Sequence, residues 1–176
     1  MIRDWLKKAI PGKSSTQMVA ADALISNGET DKAIKVLENM LKKEPENEKV
    51  KVMLAKLLVF KDKEKCLSLI EGIDEGSENF ELVVSLKTIS RLINLKNNPN
   101  GLQESPAWNL YMEAIGDIQK QNFDSALDKF IEVIRSDRTL DDDGARKACI
   151  AIFKYLGEEN EITIKHRRDF GSALYI

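Results

Sequence analysis

The stretch SSTQMVAADALISNGETDKAIKVLENMLKKEPEN, residues 14–47, decides the fold. In residues 17–27 the apolar side chains recur three and four positions apart, which predicts one face of a helix. Gly28 follows, at a place where helices commonly end on a left-handed residue. Residues 30–43 repeat the helical spacing, and Pro45 ends it. The stretch therefore predicts two helices joined by a tight turn.

Two small residues, Ala21 and Ala33, fall where the two predicted helices would approach each other most closely. The unit spans about 34 residues, which is the period of a tetratricopeptide repeat. One such unit leaves apolar surface uncovered and needs neighbouring units. The stretch thus predicts an all-α fold of tetratricopeptide-like, antiparallel helix pairs that binds other proteins.

The rest of the chain carries weaker copies of this pattern. The remaining helical segments are residues 50–60, 66–73, 107–120, 123–136, 145–156 and 160–174. Between the second and third pairs, residues 80–95 predict one long helix that is apolar around more than half its circumference. Because so much of its surface is apolar, we expect this helix to be covered on more than one side. It has no partner helix of its own in the repeat sense.

The predicted domain organisation is simple. Residues 1–13 are an N-terminal amphipathic helix and linker, and residues 14–176 are the repeat domain. The first helix would be under three turns long, so packing against the first repeat is favoured over lying on a membrane. No segment approaches the roughly 20 apolar residues of a membrane span, and no secretory signal is present. These features predict a cytoplasmic protein that binds no membrane.

The net charge and the two cysteines argue against several classes of function. A net charge of −2 and a pI near 5.6 argue against a nucleic-acid binder. Cys66 and Cys149 are far apart and lie in no metal-binding spacing, which favours small core residues in a reducing compartment over a regulatory disulfide. A thiol enzyme using Cys149, with Arg146 and Lys147 lowering its pKa, is the weakest alternative.

The sequence carries no recognisable catalytic constellation. The single histidine, His166, has no nucleophile and carboxylate pattern around it, and no glycine-rich phosphate loop or HExxH motif is present. We therefore expect no enzyme activity, no cofactor and no metal. The three carboxylates of Asp141, Asp142 and Asp143 precede a helix, and we expect them to cap it.

In a repeat array, the first helix of each pair lines a groove. Counting i, i+4 and i+7 along these helices, the predicted apolar lining is Met18, Ile25, Val52, Val59, Tyr111, Ile115 and Ile118. Repeats that grip a charged C-terminus need several basic residues there, and only Lys56 qualifies. Either the helix at residues 80–95 fills this groove, or an amphipathic segment of another protein does.

The C-terminal third carries a more specific pattern. Its motifs are NFDSAL at 122–127, RSDR at 135–138, DDDGARK at 141–147, IFKYLG at 152–157, RR at 167–168 and SALY at 172–175. This pattern resembles the C-terminal repeat domain of the bacterial chaperedoxins, thioredoxin-like holdases and co-chaperones of the chaperonin. IRDWL at 2–6 and AIP at 9–11 look like the last helix of that family's thioredoxin domain. The thioredoxin domain itself is absent from these residues, so no redox function is carried over; we expect a fragment of a longer protein or a stand-alone relative.

The resemblance implies partners: unfolded client proteins and the chaperonin, which this family contacts through its last helix. On this chain the corresponding candidates are Arg167, Arg168, Phe170, Leu174 and Tyr175. The alternative for Phe170 and Leu174 is that they close the core of the last repeat. The alternative function is a structural module that oligomerises or positions a neighbouring domain, without a chaperone role.

Overall fold

The computed structural model describes residues 13–98 and 106–175, and every regular element in these ranges is an α-helix. The helices are α1 (Lys13–Ser26), α2 (Thr30–Lys43), α3 (Glu48–Leu58), α4 (Lys63–Leu69), α5 (Phe80–Asn97), α6 (Pro106–Gln119), α7 (Phe123–Ser136), α8 (Gly144–Leu156) and α9 (Glu161–Ala173). The predicted all-α, tetratricopeptide-like fold is confirmed. The chain divides into two compact units, residues 1–73 and 74–176.

In the first unit, consecutive helices from α1 to α4 pack against one another. Ala21 and Ala33 are fully buried, as close packing of α1 on α2 requires. Gly28 ends α1 with a φ of +75°, a left-handed conformation that side chains other than hydrogen disfavour. The predicted start of α1 at Gln17 is wrong, because the helix begins at Lys13.

Side chains cap the next two helices of this unit. The Asn47 side chain accepts a hydrogen bond from the Val50 N–H at 3.3 Å and starts α3. The Asp62 side chain accepts one from the Lys65 N–H at 3.0 Å and starts α4. These bonds satisfy N–H groups that a helix leaves free in its first turn, and each contributes about 1 kcal/mol.

In the second unit, α6 pairs with α7 as predicted, and α7 also packs against α8 and α9. The long helix α5 packs against α8 and α6. As predicted, α5 is covered on more than one side, by the neighbouring α6 and by α8 from a distant part of the chain. The largest fully buried side chains of this unit include Tyr111, Phe130, Leu86 and Leu127.

The loop before α8 departs from the predicted capping. Asp141, Asp142 and Asp143 all have left-handed φ values between +52° and +61°. Asp143 occupies the N-cap position, but its side chain makes no capping hydrogen bond. The three carboxylates bind side chains instead: Asp141 binds Arg91, Asp142 binds Lys147, and Asp143 binds Arg146.

Two further predictions concern membrane spans and the N-terminal segment. None of the described helices is both long and apolar enough to cross a membrane. The predicted amphipathic helix at residues 1–10 lies outside the described residues.

Candidate protein-binding site

A groove of 290 Å³ runs between α5 and α8. Its lining consists of Glu81, Val84, Ser85 and Thr88 from α5 with Lys147, Ile150, Ala151 and Lys154 from α8. Val84 and Ile150 are large hydrophobic side chains that remain 44% and 38% exposed. Large apolar side chains that stay exposed together on a concave surface are typical of a binding site, because a bound partner shields them from water.

Helix geometry explains why these residues share one surface. On each helix the lining residues are three, four and seven positions apart, so they fall on one face over two turns. At the floor of the groove, the buried Ser85 hydroxyl donates a 2.5 Å hydrogen bond to the Ala151 carbonyl oxygen. This bond ties the two walls of the groove together.

Charged side chains border the apolar centre. Lys154 forms an ion pair with Glu81 across the groove, from one helix to the other. Lys147 forms an ion pair with Asp142 at 2.6 Å. The centre therefore offers apolar contact, and its borders offer polar groups that are already paired with each other.

A polar network holds one wall of the groove. The Arg91 guanidinium donates two hydrogen bonds to the Asp141 carboxylate, at 2.8 and 3.1 Å. The Tyr111 hydroxyl donates a third at 2.6 Å. Burial, together with this hydrogen bond, raises the pKa of Tyr111 far above its ordinary value, so the hydroxyl keeps its proton. The network fastens α5 to α6 and to the loop that leads into α8.

Five residues predicted to line an open groove are instead buried in the core: Val52, Val59, Tyr111, Ile115 and Ile118. Their own neighbours cover them, since α3 lies between α2 and α4, and α6 packs against both α5 and α7. Met18 and Ile25 on α1 are partly exposed. The predicted lining is therefore largely core, and of this set only the two α1 residues offer surface.

The predicted C-terminal contact residues are divided between surface and core. Arg167 and Arg168 are exposed, and Tyr175 is 93% exposed. Arg167 forms an ion pair with Glu158 at 3.3 Å. The Arg168 guanidinium makes no hydrogen bond or ion pair to the described residues. The two exposed cations and Tyr175 are thus available to a partner.

The other two predicted contact residues are held by the fold. Phe170 packs edge-on against Phe153 of α8, with ring centroids 5.4 Å apart. The carbonyl oxygen of Leu174 accepts a 3.0 Å hydrogen bond from Arg138. Phe170 therefore contributes to the packing of α9 on α8, which was the alternative assigned to it from the sequence.

The cysteines do not form a reactive site. Cys66 and Cys149 are both fully buried. Burial raises the pKa of the Cys149 thiol well above its ordinary value, which disfavours the nucleophilic thiolate. Arg146 and Lys147, expected to activate it, are bound to the aspartates of the preceding loop.

Sequence reasoning missed one cluster of polar groups. Asp124 and Asp128 of α7 face His166 of α9, whose side chain is only 3% exposed. Hydrogen bonds from Lys165 and His166 lower the pKa of Asp124, and the one from Lys165 has the larger effect. The i, i+4 spacing of the two aspartates was the available signal, but no local pattern pairs them with a histidine 42 residues away.

Two models of known protein families match parts of this chain. One tetratricopeptide-repeat model matches residues 15–57, which cover α1, α2 and most of α3. A second tetratricopeptide-repeat model matches residues 98–175, which include α6 to α9. No curated protein matches the chain. The helix pairs and both matches together indicate a tetratricopeptide-like helical repeat fold. Repeats of this kind generally mediate binding between proteins.

Proposed function

We propose that the protein is a non-catalytic scaffold that binds a short amphipathic segment of another polypeptide in the groove between α5 and α8. One observation carries this proposal: Val84 and Ile150, two large exposed hydrophobic side chains, line the same concave surface. Burying apolar area contributes about 25 cal/mol per Å², so a segment that covers both side chains gains affinity.

The dimensions and charges of the groove favour a helical occupant. The lining residues extend over two turns of each wall, which is about 10 Å, or roughly seven residues of a bound helix. A helix with apolar side chains on one face would cover Val84 and Ile150. Its polar face would remain in solvent beside the Glu81–Lys154 pair. Unfolded client proteins expose such segments, so a client is the occupant that we propose.

We also propose a cytoplasmic co-chaperone role, with the chaperonin contacting the last helix. The resemblance of the C-terminal motifs to chaperedoxins motivates this step. The exposed Arg168 guanidinium and the 93% exposed Tyr175 support it, because both lie at the surface of the C-terminal part of the chain. Two buried cysteines far apart in the sequence fit a reducing compartment.

Client binding is tested by placing a charge in the groove. We expect Ile150→Asp to lose most of the ability of the wild type to suppress aggregation of a chemically denatured enzyme, measured by light scattering. Ile164→Asp is the matched control, because Ile164 is 60% exposed on α9, outside the groove. Equal suppression by both variants, with unchanged circular dichroism, would overturn the assignment of the groove.

The same variants distinguish a client from a second copy of this chain. If the groove held a second copy, the wild type would sediment as a dimer and Ile150→Asp as a monomer. That result would support the structural oligomerisation function in place of client binding. We expect a monomer in both cases.

The chaperonin contact is tested separately, on the surface of α9 and the residues after it. We expect the double variant Arg168→Glu, Tyr175→Ala to lose co-sedimentation with a purified chaperonin. Arg135→Glu, an exposed arginine on α7, serves as the control. Retained co-sedimentation of the double variant would refute docking through these two residues and would leave the groove proposal intact.

A further inference from the structure

Two carboxylates and the only histidine of the chain meet between α7 and α9. Asp124 and Asp128 are four residues apart on α7, so they lie one above the other on the same face. His166 comes from α9, which packs against α7. One potential ligand atom from each of the three side chains lies within 4.8 Å of the other two.

The two ring nitrogens of His166 have different surroundings. Nε2 lies 2.7 Å from Oδ1 of Asp124, the length of a hydrogen bond between an N–H and a carboxylate. Nδ1 lies 3.5 Å from Oδ1 of Asp128, which is too far for a hydrogen bond. A neutral imidazole that donates its single N–H from Nε2 to Asp124 carries a lone pair on Nδ1. The Nδ1 lone pair then faces a second anionic oxygen, an arrangement that a cation between them would stabilise.

The distance between these two atoms fits a metal ion. Zinc binds imidazole nitrogen and carboxylate oxygen at about 2.1 Å, and tetrahedral geometry holds two such ligands roughly 3.4 Å apart. The observed separation of Nδ1 from the Asp128 oxygen is 3.5 Å. Metal-bound histidines commonly donate their other N–H to a carboxylate, which orients the ring. Asp124 occupies that position in this cluster.

The two aspartates differ in their charged neighbours. Lys165 binds both carboxylate oxygens of Asp124, at 2.7 and 2.8 Å. Asp128 has no lysine or arginine within ion-pair distance among the residues that the structure describes, and its side chain is 66% exposed. Asp128 therefore has both the free charge and the access to solvent that an entering cation requires.

We infer that His166 Nδ1 and the Asp128 carboxylate form a zinc site, with Asp124 as the positioning residue and water completing the coordination. The site is independent of the α5–α8 groove. It joins α7 to α9, so bound zinc would fasten the C-terminal helix to the unit.

Zinc chloride alone is the probe. We expect calorimetric titration of the full chain to show one zinc per molecule, and magnesium to show no binding, because magnesium prefers oxygen ligands to imidazole. Since the chain has one histidine, its ring nitrogen signals are assigned without ambiguity. Zinc should shift Nδ1 far more than Nε2 in a nitrogen-15 spectrum. An unchanged histidine spectrum would overturn the proposal.

Variants assign the ligands. Asp128→Asn should abolish zinc binding without unfolding the protein, because the side chain is mostly exposed. Asp124→Asn should weaken binding by about 10- to 100-fold, as loss of an orienting carboxylate does. Asp169→Asn makes the same charge change at an exposed position of α9 and should bind zinc like the wild type. Equal binding by the Asp128 and Asp169 variants would refute the site.

Discussion

At the scale of single residues, Tyr111 illustrates how this fold uses a polar atom in its core. The ring is fully buried and packs edge-on against Phe130, with centroids 5.4 Å apart. Its hydroxyl reaches Asp141, whose carboxylate also binds Arg91. A buried hydroxyl without a partner would be costly, so the hydrogen bond is what permits a tyrosine at this position.

We expect Tyr111→Phe to lower the free energy of unfolding by about 1–2 kcal/mol, because the Asp141 carboxylate loses a donor and keeps Arg91. Urea denaturation followed by circular dichroism measures the change. Tyr175→Phe removes the same hydroxyl from a side chain that is 93% exposed and should leave stability unchanged. Equal stability of the two variants would mean that the Tyr111 hydrogen bond contributes nothing.

Asp117 supplies a pH-dependent contribution. Burial pushes its pKa up, but hydrogen bonds from Lys129 and Ser125 outweigh burial and bring the pKa below 3.8. A carboxyl whose pKa is lower in the folded state stabilises the fold above its unfolded pKa and loses that contribution as the pH falls through the folded pKa.

We therefore expect Asp117→Asn to reduce the free energy of unfolding at neutral pH by about 1 kcal/mol, given partial exposure to solvent. The difference from wild type should close as the pH falls below 3.8. Urea denaturation across a pH series measures it. Asp22→Asn, at an exposed position of α1, should show no such trend. A difference that persists in acid would exclude the ion pair as its cause.

At the scale of elements, local signals predicted some helices well. Both ends of α2 match the prediction, Thr30 to Lys43, because Gly28 and Pro45 punctuate the chain on either side. The start of α1 was missed because residues 13–16 are polar or charged and interrupt the apolar spacing. Capping of α8 by the aspartates was also wrong, because nearby basic side chains bind these carboxylates in place of the helix N–H groups.

Gly144, the first residue of α8, is required by its surroundings. A Cβ atom there would lie 2.7 Å from Oδ2 and 2.9 Å from Cβ of Asp141, and it would also collide with the Tyr111 hydroxyl. Asp141 and Tyr111 belong to the hydrogen-bond network that holds α5. Moving them away from a new Cβ atom would therefore break that network.

We expect Gly144→Ala to destabilise the protein by about 1–3 kcal/mol through this overpacking. Gly171 in α9 is the matched control, because a Cβ there meets no atom within 4 Å. Gly171→Ala should raise stability by roughly 0.5–1 kcal/mol through helix propensity. Thermal unfolding of the two variants provides the comparison, and a shift in the same direction for both would contradict the close approach at Gly144.

At the scale of the whole molecule, the sequence predicted the helical repeat class but not the site. Periodicity locates the apolar face of a helix, but it does not reveal which helix covers that face. The groove walls meet at Ser85 and Ala151, which are 66 residues apart, and no local pattern pairs them. For the same reason Val52 and Ile115, predicted to line a groove, proved to be core residues.

Repeat units depend on their neighbours, so damage in one helix should spread along the unit. Leu37 of α2 is fully buried, and we expect Leu37→Ala to cost about 2–5 kcal/mol. Hydrogen exchange should then show lost protection throughout α1 to α4. Lys35→Ala, at an exposed position of α2, should leave the exchange unchanged. Loss confined to α2 would mean that this unit does not unfold cooperatively.

The burial of both thiols makes site-specific fluorescent labelling simple. Cys66 and Cys149 are inaccessible in the folded chain. A cysteine introduced in place of Lys87, an exposed residue of α5 outside the groove lining, would therefore be the one site where a maleimide fluorophore attaches without any background mutation. Its emission would report, in real time and at nanomolar protein concentrations, the arrival of a peptide between α5 and α8.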